Sequence, residues 1–184
     1  MKKNQALYFI AICPPEPILS EIKALKMDLY RRYHTRTALR SPAHITLYMP
    51  FRWNEKEEQK LSKHLEDFFS QYQSFEIVLN GFDCFRPKVL FIKPEENLFL
   101  SKIHKDLVFH LQEELAINSY SKEKRAYNPH MTLANRDLQA NAFEEAWKSL
   151  SKQTYHNIFM ADKGSLLKYN SRTWEPAYNY ELLK

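Results

Sequence analysis

Apolar residues fall along this chain in two rhythms, unbroken short runs and stripes spaced three or four apart, and the two alternate. Residues 6–13 are a continuous apolar run closed by Pro14-Pro15, which predicts a buried strand. Ile18, Ile22, Leu25 and Leu29 then recur at helical spacing, with Lys23, Lys26, Arg31 and Arg32 expected among the solvated or flanking positions. A strand is predicted over 43–51, followed by an amphipathic helix from about Asn54, an N-capping residue, with Leu61, Leu65, Phe68 and Tyr72 as its apolar stripe. Phe75 to Phe85 reads as a strand, Arg86-Pro87-Lys88 as a turn, and Val89 to Ile92 as another strand. Leu100, Ile103, Leu107, Leu111 and Leu115 mark a third helix, which carries His104 and His110 as ordinary surface or boundary residues. Phe143, Ala146, Trp147 and Leu150 mark a short fourth helix. The pattern beyond it predicts a hairpin of Tyr155–Ala161 and Ser165–Tyr169 around Lys163-Gly164, then a closing strand at Tyr178–Leu182.

The order repeats. Leu7-Tyr8-Phe9-Ile10, a helix and Ser41-Pro42-Ala43-His44-Ile45-Thr46-Leu47 are matched by Val89-Leu90-Phe91-Ile92, a helix and Tyr127-Asn128-Pro129-His130-Met131-Thr132-Leu133. The strands and helices thus read as one α+β domain over 1–184, built from repeat units of approximately 6–85 and 88–170. We expect a bilobed, pseudo-twofold arrangement: an antiparallel-rich sheet in each lobe, helices outside, and a central cleft carrying the two motif strands. Side chains alternate faces along a strand, so His44 and Thr46 share one face while Ile45 and Leu47 take the other, and the second copy behaves alike. An imidazole and a hydroxyl side by side, twice, at equivalent places, point to a site.

Composition narrows the chemistry. The apolar fraction of 44% and aromatic fraction of 14% belong to a folded globule. A net charge of +5 leans toward an anionic partner without specifying one. Arg36 and Arg40 lie in a basic loop at 34–40, whose counterpart at 119–126 contains Lys122, Lys124 and Arg125. With only Gly81 and Gly164 in the chain, no glycine-rich phosphate loop of the Walker or Rossmann kind exists, and nucleotide-driven chemistry by those routes is excluded. Cys13 and Cys84 lie in or beside apolar runs and read as buried free thiols, consistent with a reducing cytoplasm. Lys2-Lys3 followed by Ala6 to Cys13 falls short of a secretion signal, and no run reaches the roughly 20 apolar residues of a membrane span, so a cytoplasmic location is expected.

Two imidazoles facing one another can divide acid and base between them, because the group titrates near neutral pH. One takes a proton from the attacking oxygen while the other delivers one to the leaving oxygen of a phosphodiester. The neighbouring threonine hydroxyls can hydrogen-bond the non-bridging oxygens where charge accumulates. No metal or other cofactor is needed for this.

The doubled His-x-Thr motif, His44-Ile45-Thr46-Leu47 with Pro129-His130-Met131-Thr132-Leu133, resembles the 2H phosphoesterase superfamily, which includes the bacterial 2′-5′ RNA ligase-like proteins and cyclic phosphodiesterases. The bilobed repeat and the turn Phe85-Arg86-Pro87-Lys88-Val89-Leu90 are similar to that family too. The resemblance implies a cleft enzyme acting on 2′,5′ or 2′,3′-cyclic phosphodiester bonds of RNA ends or small nucleotides. His44 and His130 would be its catalytic pair and Thr46 and Thr132 its phosphate binders. From strand phase, Tyr48 and Arg136 are candidate substrate contacts, and Tyr127, just before the second motif, either stacks on a base or packs. The chain departs from the common pattern at Tyr48-Met49-Pro50-Phe51 after the first motif and at Asn135, where a basic residue is usual.

Two other readings use the same residues. The fold and cleft serve an RNA- or nucleotide-binding protein without turnover equally well. A zinc site of His44, His130 and a third ligand such as His156 lacks any carboxylate or cysteine at a telling spacing. RNA or a nucleotide is therefore the expected partner, with no membrane and no obligatory protein partner.

Overall fold

The computed structural model describes residues 4–118 and 126–184. The elements follow the predicted order: β1 Gln5–Ile12, α1 Ile18–Tyr33, β2 Ile45–Asn54, α2 Glu58–Phe69, β3 Phe75–Phe85, β4 Val89–Pro94, α3 Leu98–Leu115, β5 Met131–Ala134, α4 Ala140–Leu150, β6 His156–Ala161, β7 Lys163–Tyr169 and β8 Trp174–Glu181. Asn54 acts as a cap, accepting a hydrogen bond from the Lys56 N–H, but of a short 3₁₀ turn over Glu55–Glu57 that leads into α2. Asn97 caps α3 through Leu100. In a chain so poor in glycine, the left-handed residues that stop α1 and α3 are His34 and Ala116.

All eight strands join one antiparallel sheet in the order β6-β3-β4-β5-β2-β1-β7-β8. Its two halves are pseudo-twofold mates, with β5 and β2 meeting at the centre, β4 and β1 behind them, and β3 and β7 beyond. The halves do not follow the chain. β3, from the first repeat unit, pairs with β4 of the second, and β7, from the second, pairs with β1 of the first. This exchange ties the two repeat units together through more paired residues than the central junction does, where Ile45 and Met131 are the paired residues.

The expected hairpin around Gly164 does not form. β6 lies at one edge of the sheet on β3, and β7 lies in the other half between β1 and β8. Only Asp162 separates the two strands, so the sheet must curl until these distant positions meet. Gly164 serves close packing instead: a Cβ there would run into the Phe69 ring of α2.

The stripes of the four helices cover one face of the sheet. Ile22 and Leu29 of α1, Leu61 and Leu65 of α2, Ile103 and Leu107 of α3, and Phe143 and Ala146 of α4 are all buried there against Tyr8, Ile10, Ile45, Leu47, Met131 and Leu133. The opposite face carries a smaller apolar cluster of Phe9, Ala11 and Leu167, with Cys13 and Trp174 packed on it. Among the described residues no helix is long and apolar enough to cross a membrane.

Candidate active site

Each motif histidine stands one residue ahead of a central strand, His44 before β2 and His130 before β5. Extending the antiparallel register from the Ile45–Met131 pair sets His44 opposite Thr132 and Thr46 opposite His130. Ile45, Met131, Leu47 and Leu133 turn into the core, so the four polar side chains fall on the face away from the helices. Diagonal neighbours in such a ladder have backbones about 7–8 Å apart, so the two imidazoles stand near one another on that face.

Both imidazoles are held in the same way. His44 Nδ1 lies 2.9 Å from the Pro42 carbonyl and His130 Nδ1 lies 2.8 Å from the Asn128 carbonyl, in each case two residues upstream. A carbonyl oxygen only accepts, so each Nδ1 carries the hydrogen and each Nε2 has a free lone pair. Each ring also leans on a phenylalanine from the neighbouring strand, His44 on Phe9 at 4.7 Å and His130 on Phe91 at 5.3 Å between centroids. A second aromatic backs each of these, Trp174 behind Phe9 and Phe85 behind Phe91, the latter also meeting His130 edge-on. The repeat thus reproduces the setting of each histidine as well as the motif.

Burial disfavours the charged form of both rings. It pushes His44 down to about 4 against the carbonyl bond to Pro42, with Lys26 and His130 adding repulsion, although the ring keeps part of its surface open. His130 is lowered for the same main reason, and its bond to Asn128 opposes the shift. The free site therefore holds two neutral imidazoles at neutral pH. A negative charge placed beside either ring would favour its protonated form.

Lys26 is the asymmetric feature. It is buried rather than solvated, and its ammonium donates to the Ser41 carbonyl at 3.1 Å and to the Pro42 carbonyl at 3.3 Å, the oxygen that also accepts from His44. No carboxylate of the described residues pairs with it, and desolvation pushes it down to about 8.

A bulge turns Tyr48 away from the face of His44 and Thr46, and β5 ends before Arg136, so strand phase does not place that residue on the face of His130 and Thr132. The register of β2 against β1 shifts between Ile10 and Ala11, whose partners are Tyr48 and Thr46, so Leu47 is a bulge. β5 against β4 shifts between Leu90 and Phe91, whose partners are Ala134 and Thr132, so Leu133 is the equivalent bulge. The next residue on each strand is turned inward with its leucine. Tyr48 is buried in the core, its hydroxyl donating to the Ile117 carbonyl, and burial pushes it up to about 12. Ala134 is buried too, β5 ends there, and Arg136 occupies an exposed turn at φ 42°.

Tyr127 packs. Its ring stacks on His104 at 3.7 Å and its hydroxyl donates to the Thr46 carbonyl, while His104 Nδ1 holds the Leu47 carbonyl at 2.7 Å. Those contacts pin the bulge of β2. Of the basic loops, 34–40 is moored by Asp137, whose carboxylate accepts from the Thr35 hydroxyl and the N–H groups of Arg36 and Thr37. Lys122, Lys124 and Arg125 lie outside the described residues. His156 lies on β6 paired with Asn80, in the edge strand, and does not join the motif histidines. Phe9, Phe91, Phe85, Trp174 and Lys26 support the site without having been singled out in the sequence; the alignment of Phe9 with Phe91 in the repeat was the signal for the first two.

Known proteins match the chain along most of its length. The family model described as the 2′-5′ RNA ligase superfamily matches residues 14–173. The RNA 2′,3′-cyclic phosphodiesterase of Bacillus subtilis is 29% identical over 134 residues, covering 70% of each chain. Crystal structures of LigT from E. coli in its apo form and of TT0787 from Thermus thermophilus share the fold. The first has a TM-score of 0.67 at 16% identity, over 98% of this chain and 99% of its own. The second has a TM-score of 0.66 at 18% identity, over 96% and 97%. The eight-stranded antiparallel sheet with helices on one face is doubled about its two central strands, and the match of that family model over residues 14–173, most of the chain, places this chain in the 2′-5′ RNA ligase superfamily.

Proposed function

We propose that the protein is a metal-independent phosphoesterase that opens 2′,3′-cyclic or 2′,5′-linked phosphodiesters of RNA ends or small nucleotides, with His44 and His130 as its acid and base. The observation that carries this is the matched pair of Nδ1–carbonyl bonds, which leave an Nε2 free on each side of one cleft. A Bacillus subtilis relative named as an RNA 2′,3′-cyclic phosphodiesterase supports the substrate class.

The neutral Nε2 of one histidine takes a proton from water as its oxygen attacks phosphorus. The protonated Nε2 of the other gives its proton to the departing ribose oxygen as that P–O bond breaks, leaving a phosphomonoester. The two rings have then exchanged protonation states, so a proton transfer through solvent resets the pair. Thr46 and Thr132 donate to the non-bridging oxygens as negative charge grows on them.

The test is hydrolysis of 2′,3′-cyclic AMP with a chelator present, in wild type, His44→Ala and His130→Ala. We expect turnover in the wild type and a loss of about 10²–10⁴-fold in each variant. Because both free imidazoles titrate below their ordinary value, kcat/KM should peak on the acid side of neutrality and the kcat profile should lie at higher pH. Turnover that depends on an added divalent metal, or survives in either variant, contradicts the proposal. Binding of the nucleotide without turnover would leave the protein a nucleotide-binding module.

A further inference from the structure

A cavity of about 380 Å³ flanks His44, between α1, the 3₁₀ turn at Thr37–Arg40 and the β7–β8 turn. Ser41, Pro42 and Ala43 form one wall of it and run straight into His44. Trp174 forms another wall and touches Phe9, the ring on which His44 leans. The cavity and the catalytic face therefore share a partition.

Its lining is cationic and aromatic. Lys23, Lys26 and Arg40 border it, and none of the three has an ion-pair partner among the described residues. The two acids on the rim are engaged locally, Glu16 by the Ser20 N–H and Glu175 by Asn170 and Thr173. The ammonium of Lys26 uses two donors on carbonyls and keeps a third, and a buried cation without a counter-charge is a costly arrangement that an anion would relieve. Trp174 with Leu19 and Leu39 supplies apolar surface of the kind on which a nucleoside packs.

We propose that this cavity is a second phosphate subsite, which takes the 5′-phosphate of the terminal nucleotide, the group that links it to the rest of an RNA strand. This rests on the phosphodiester reading above and deepens it: the substrate is then an RNA end or oligonucleotide in preference to a lone cyclic mononucleotide. Lys23 and Arg40 are exposed, so replacing them need not disturb the fold, whereas Lys26 is structural as well.

The test is calorimetric titration of 5′-AMP, which has no cyclic phosphate to open, into wild type, Lys23→Ala/Arg40→Ala and His130→Ala. The proposal expects measurable binding to the wild type, about tenfold weaker binding to the doubly substituted protein and little change in His130→Ala. In parallel, the ratio of kcat/KM for a dinucleotide ending in a 2′,3′-cyclic phosphate to that for 2′,3′-cyclic AMP should fall about tenfold in Lys23→Ala/Arg40→Ala. Loss of 5′-AMP binding in His130→Ala alone, or no binding to the wild type, overturns the subsite. Absence of turnover on either substrate, with the binding pattern intact, overturns the phosphoesterase reading and leaves the subsite standing.

Discussion

His44 and His130 are alike in tautomer, in aromatic support and in distance to a carbonyl, and differ in what stands behind that carbonyl. Behind Pro42 is the ammonium of Lys26; nothing of the kind bonds the Asn128 carbonyl among the described residues. The lysine fixes the Ser41–Pro42 segment from which His44 hangs, and its charge resists a proton on that ring. It also leaves a signature in stability. With its pKa pushed down to about 8 from 10.5, the folded chain gives up this proton before the unfolded chain does. The unfolded state then binds more protons between pH 8 and 10.5, so this residue's contribution makes stability rise with pH across that window, by up to about 3 kcal/mol. Urea unfolding of wild type and Lys26→Met at about pH 7.5 and about pH 9.5, either side of the folded value, should show the difference between the two proteins moving in favour of the wild type at the higher pH. A difference that is flat with pH would mean that Lys26 is not desolvated in the folded chain.

At the scale of elements, the two bulges decide which side chains face the cleft. An extra residue at Leu47 and at Leu133 puts two successive apolar side chains into the core and halts the polar alternation after His-x-Thr. The motif itself was legible in the sequence because four residues in strict alternation, repeated, expose their face without any tertiary knowledge. The inward turn of Tyr48 was not, since a bulge is a property of pairing and the chain carries no local mark of it, and neither was the end of β5 at Ala134, two residues before Arg136. Lys26 was hidden for a different reason: a lysine on an amphipathic helix looks like any solvated one until the segment that covers it is known. The hairpin expected at Gly164 shows the same limit, as the glycine answers to Phe69 on α2 and not to a turn. The other element that sets the site is the turn after β5. Asp137 reaches from it to Thr35, Arg36 and Thr37, and these hydrogen bonds hold its carboxyl below its usual range despite the opposing effect of burial. Asp137→Ala should cost about 1–3 kcal/mol in urea unfolding, since it strands two backbone donors and a hydroxyl. An unchanged unfolding midpoint would show that the basic loop 34–40 is held by something else.

Over the whole molecule, β3 and β7 are exchanged between the two repeat units, so each half of the sheet is built from strands of both, and the β2–β5 seam is left with few pairings of its own. The seam needs only its Ile45–Met131 pair to align the motifs, because strands from both repeat units bind each half. A pseudo-twofold axis through such a seam brings two like groups near one another, and the proposed push and pull needs two imidazoles within reach of one phosphate, one neutral and one protonated. Acid and base that act in the same step fail together. The most direct test is therefore the full cycle of rates on a 2′,3′-cyclic nucleotide for wild type, His44→Ala, His130→Ala and the double variant. The account predicts that the double variant is about as slow as the slower single variant, since either loss already stops the concerted transfer. Losses that multiply in the double variant, or a single variant that keeps the wild-type rate, would contradict a paired mechanism.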